Sequence, residues 1–116
     1  MTADAAETLG GQLAVAEAAL QRLSNGAAVC TFTKAGIAVP GLKYAEGRWA
    51  ALRELQRSSA FPADPHATLD TVAAAWAADL DRRQVRGAGP DWIAYRTGGL
   101  DALADLAVGL SLRPRD

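Results

Sequence analysis

One cysteine and one histidine among 116 residues leave this chain short of the usual equipment for chemistry. Cys30 has no second cysteine to join, which excludes an internal disulfide and suits a reducing compartment. It sits in an apolar stretch, where a thiol acts as a small buried hydrophobe. His66 follows Pro65 in what looks like a first helical turn, and its plain role is an exposed or capping side chain. A zinc site or a nucleophile-base pair would need partners that the sequence does not supply. Asp79 and Asp81 stand two apart and point to different helix faces, so they make neither a shared-proton pair nor a metal clamp.

Other absences narrow the class further. No run of about eighteen apolar residues exists, so a membrane-spanning helix is excluded on length. Met1 to Asp4 lacks the basic start and apolar centre of a signal peptide, and synthesis in the cytoplasm is expected. The net charge of -1 argues against a protein that coats nucleic acid, which needs a basic excess. The glycine clusters Gly10-Gly11, Gly87-Ala88-Gly89 and Gly98-Gly99 lack the Lys-Ser/Thr of a phosphate loop and read as helix breaks.

What is present is periodic. Half the residues are apolar, but many are alanine, so the leucines and the three tryptophans must supply most of the core. After a frayed entry over residues 1 to 8, Leu9, Leu13, Ala16, Leu20 and Leu23 mark one side of a helix. Asn25-Gly26 can close it. From Ala28 to Thr33 the pattern alternates by two, and Lys34-Ala35-Gly36 can turn a strand back on Ile37 to Val39, giving a β-hairpin. A second helix is predicted from Lys43 to Ser58. Ser58 to Pro65 reads as a linker. Asp64 and Pro65 then begin a third helix, with Leu69, Val72, Trp76 and Leu80 on its apolar side and Arg82, Arg83 and Arg86 at its negative end. Asp91 to Arg96 form a short helix, Thr97-Gly98-Gly99 interrupts it, and Leu100, Leu103, Leu106, Ala107 and Leu110 mark a last one. No internal repeat stands out.

Leu13, Ala14, Ala16, Ala18, Ala19, Leu20, Leu23, Gly26, Val29, Thr31, Lys34, Gly36 and Val39 match, without a gap, the pattern of an Ala-rich helix, a Val/Thr strand, a Lys-x-Gly turn and a return strand. Ala50-Ala51-Leu52-Arg53-Glu54-Leu55 follows as a Leu-rich helix. Over residues 8 to 60 the chain thereby resembles the small head-to-tail joining, or head completion, proteins of tailed bacteriophages, the gpW-like family. The resemblance and the periodicity together predict a helix-rich α+β fold: a β-hairpin flanked by two antiparallel helices, with two or three additional C-terminal helices. Residues 1–60 form the helix-hairpin-helix unit and residues 61–116 a helical extension sharing its core.

By that resemblance the chain is a structural connector subunit, not an enzyme. It assembles as a homo-oligomeric ring on the portal, docks the tail and ends in the virion, with no cofactor. The hairpin, carrying Thr31, Thr33 and Lys34, and the second helix around Arg48, Arg53 and Arg57 are then contact surfaces. Trp49 continues the Leu52 and Leu55 stripe, so these arginines are either the solvated side of a packed helix or a contact for protein or packaged DNA. Trp76 and Trp92 belong to a core or to an interface. A fragment ending near Ala60 is expected to fold but not to assemble. The alternative is a cytoplasmic helical adaptor or regulator that binds one protein partner. A DNA-binding regulator using the second helix is a weaker third reading.

Overall fold

The computed structural model describes residues 2–24 and 41–111. Four α-helices are present among them: α1 (Thr2–Ser24), α2 (Leu42–Gln56), α3 (Pro65–Val85) and α4 (Pro90–Ser111). All four share one apolar core.

Helix α1 starts earlier than its leucines suggest. Ala5 and Thr8 are buried beside Leu9, Leu13 and Ala16, so the expected frayed entry is an extra turn of the same packed side. Gly10 and Gly11 do not break it. Both are exposed, and the backbone cost of about 1 kcal/mol for each glycine in a helix is offset by the burial of the opposite side.

The segment between α2 and α3 is more than a linker. Phe61 is almost wholly buried in the core there. Helix α3 begins as its sequence indicates, with Pro65 in the first turn and the Asp64 carboxylate accepting from the Ala67 N–H at 3.3 Å. Gly87 adopts a left-handed φ of 73° and turns the chain into α4.

Two larger expectations are also corrected. The first is the interruption at Thr97-Gly98-Gly99, because α4 runs unbroken through it. Both glycines are buried, and each makes room for something close. A Cβ on Gly99 would strike the Trp76 ring, and one on Gly98 would strike the Tyr44 carbonyl. The glycines are packing positions on a continuous helix.

The second correction is the α+β class. Every element among the described residues is a helix, and the core is helix-on-helix packing to which the α2–α3 connection adds Phe61. Alanine and leucine, the commonest residues of these segments, are also the strongest helix formers. The predicted hairpin, Ala27 to Val39, lies outside the described residues.

Helices α2 and α4 make the largest contact in the molecule. Gly47 on α2 meets the Tyr95 carbonyl, and Gly98 on α4 meets the Tyr44 carbonyl. The two helices carry one pattern, Tyr-x-x-Gly-x-x-x-Ala-Leu-x-x-Leu, at Tyr44, Gly47, Ala51, Leu52 and Leu55 and at Tyr95, Gly98, Ala102, Leu103 and Leu106. Burial repeats with it: Ala51 and Ala102 are 0% exposed, Leu52 and Leu103 1%, Leu55 and Leu106 0%. Helix α1 packs on α2 as α3 packs on α4. A short repeat between α2 and α4 therefore exists, where no internal repeat was expected.

Candidate functional site

Asp79 on α3 gathers arginines from two helices. Arg83 Nε donates to Asp79 Oδ2 at 2.6 Å, and Arg82 reaches Oδ1 at 3.3 Å. Both arise from i,i+4 and i,i+3 spacing on one helix. Arg96 comes from α4, with Nε 2.7 Å from Oδ2 in an ionic contact that lacks hydrogen-bond direction. The hydrogen bond from Arg83 holds the Asp79 carboxyl below its ordinary range against the opposing effect of partial burial, with further help from the Arg96 and Arg83 charges.

Aromatic rings close this group into a ring of contacts. The Arg83 guanidinium lies 4.5 Å from the centre of Trp92, and that of Arg96 lies 4.5 Å from Trp76 and 5.5 Å from Tyr95. Tyr95 stacks on Trp76 at 5.6 Å and meets Trp92 edge-on at 6.0 Å. Trp76 is buried, and its indole N–H donates to Glu54 at 2.9 Å, which ties α3 to α2. Trp92 is 51% exposed. The outcome is a large ring held at the surface between Arg83 and Tyr95.

A second polar group joins α2 to α4. The Tyr44 hydroxyl donates to Asp101 at 2.5 Å, and Arg48 donates to Asp105 at 2.7 Å. Both ties run from α2 to α4, beside the close approach of Gly47 and Gly98. The hydrogen bond to Asp101, with burial second, raises Tyr44 above its ordinary range. Burial lowers Arg48, but its hydrogen bonds to Asp105 and Tyr44 outweigh that and raise it. Gln12 reaches the Asp105 carbonyl from α1 at 3.4 Å.

The residues singled out from sequence fall in different places. Thr31, Thr33 and Lys34 lie outside the described residues, as does Cys30. Arg48 is turned toward α4, whereas Arg53 is exposed and bonded to Gln56 of its own helix. Arg57 is exposed at the end of α2. Trp76 belongs to the core, Trp49 is half-buried beside α1, and Trp92 presents a half-exposed ring beside a cleft. His66 is exposed, and no cluster of metal-ligating residues occurs among the described residues.

Sequence reasoning missed Asp79, Arg83, Tyr95 and Arg96. The Asp79–Arg82–Arg83 spacing was visible, and so was the three-residue step from Trp92 to Tyr95. What concealed them was the supposed break at Gly98-Gly99, which left Tyr95 and Arg96 on a fragment too short to place. No family model, curated protein or solved structure matches this chain.

Proposed function

We propose that this protein is a helical docking module, an adaptor that works by presenting a fixed surface to another protein and has no catalytic role. One observation carries the reading: Trp92, half exposed, is clamped by Arg83 and braced edge-on by Tyr95. A large ring already fixed in place loses little freedom on binding, and tryptophan is the residue most enriched at the energetic centres of interfaces. The test is capture of partners from native extract with the wild-type chain and with Trp92→Ala, both checked for equal helicity. A partner held by the first and lost by the second supports the reading. Equal capture, or none by either, sinks it.

A narrower reading places the module in a tailed-phage particle, as a homo-oligomeric ring subunit between portal and tail. It is supported by the residue pattern between positions 8 and 60. Mass measurement of the purified protein with and without a portal ring tests it, and a protein that stays monomeric in both samples removes it.

A further inference from the structure

A cleft of about 360 Å³ opens beside Trp92, lined by Lys43, Glu46, Asp91, Trp92 and Tyr95. Two of its walls are aromatic, and its charges are two carboxylates against one ammonium. Lys43 is the resident cation, 3.1 Å from a buried Glu46 oxygen that receives no hydrogen bond. Asp91 stands exposed in the first turn of α4. The neighbouring rings show which cation they accept, since a guanidinium already lies over each of Trp92, Trp76 and Tyr95. Guanidinium is planar and weakly hydrated, so it stacks on a ring while pairing with a carboxylate at its edge.

We propose that this cleft receives an arginine side chain of a partner protein, stacked on the exposed part of Trp92 and paired with Asp91 and Glu46. The inference rests on the docking reading and gives the partner's chemistry. An incoming guanidinium competes with Lys43 for Glu46, so loss of Lys43 strengthens binding.

The test uses the full chain and two blocked peptides, Gly-Arg-Gly and Gly-citrulline-Gly, which share shape but differ in charge. The indole N–H resonance of Trp92 is followed by NMR. The arginine peptide is expected to shift it saturably and the citrulline peptide not to. Asp91→Asn and Glu46→Gln should each weaken binding roughly three- to tenfold, Trp92→Ala should abolish it as read from neighbouring amides, and Lys43→Gln should tighten it. Lack of saturation, equal response to both peptides, or unchanged affinity in both carboxylate variants overturns the proposal. If that happens while Trp92→Ala still loses its captured protein, the arginine assignment fails and the docking reading stands. If the peptide binds but Trp92→Ala captures the same proteins as wild type, the cleft is a small-ligand site and the partner-protein assignment falls.

Discussion

Gly47 and Gly98 occupy matching places on the two central helices, each set against the carbonyl of the tyrosine that lies three positions before the other. The helix backbones touch there, with no side chain between them.

Adding one methyl group at this crossing forces the helices apart. Gly47→Ala and Gly98→Ala are each expected to destabilise the protein by about 2 kcal/mol or more, despite alanine's better helix propensity. Gly10→Ala and Gly11→Ala provide the contrast, because nothing lies within 4 Å of a Cβ at either position. They should stabilise by about 0.5–1 kcal/mol each. Urea unfolding of the four variants checks the opposite signs.

Asp79 supplies the acid dependence. Its carboxyl is depressed below the ordinary 3.8, so the stability it contributes is complete above that value and is lost as pH falls through the lower, folded value. Asp79→Asn should therefore lower the unfolding midpoint at neutral pH. The gap between wild type and variant should narrow as pH falls through the folded value, below which the carboxyl is neutral in both states.

Trp76 tests the packing of α3 on α4 and its tie to α2. Trp76→Ala is expected to cost about 3–5 kcal/mol, since it empties the space against Gly99 and Tyr95. Trp76→Phe keeps a ring but leaves Glu54 without its indole donor, a smaller loss of about 1–2 kcal/mol. Thermal melts of both variants separate packing from hydrogen bonding.

A fragment of residues 1–60 should not fold as a monomer, in contrast to the expectation from sequence. It would expose Gly47, Ala51, Leu52 and Leu55, which α4 and its neighbours cover in the whole chain. Circular dichroism across a dilution series should show helicity that falls with concentration. Concentration-independent helicity would mean that α2 does not need α4.

The apolar stripes were legible in sequence because leucine spacing reports the buried side of a helix directly. Leu9, Leu13 and Ala16 lie in the core, as do Leu69, Val72 and Trp76, and Leu103, Leu106 and Leu110. The start of α3 was legible because Asp64 and Pro65 act locally. Gly98 and Gly99 were not, since their role depends on Tyr44 and Trp76, residues distant in sequence. Glycine marks a break when nothing packs on it and a close approach when something does, and local pattern cannot separate the two. The repeat stayed hidden for the same reason: its most telling position is a glycine in each copy. The Trp92 cleft draws on both α2 and α4, so no single stretch of sequence displays it.

The pattern shared by α2 and α4 ends at the Trp92 cleft. Where α4 has Trp92, the corresponding position at the head of α2 is Gly41, which has no ring to offer and adopts a φ of 79° to start its helix. If Trp92 is the docking residue, the helical pair α1–α2 holds no counterpart of it, and the docking proposal then implies one Trp92 site per molecule.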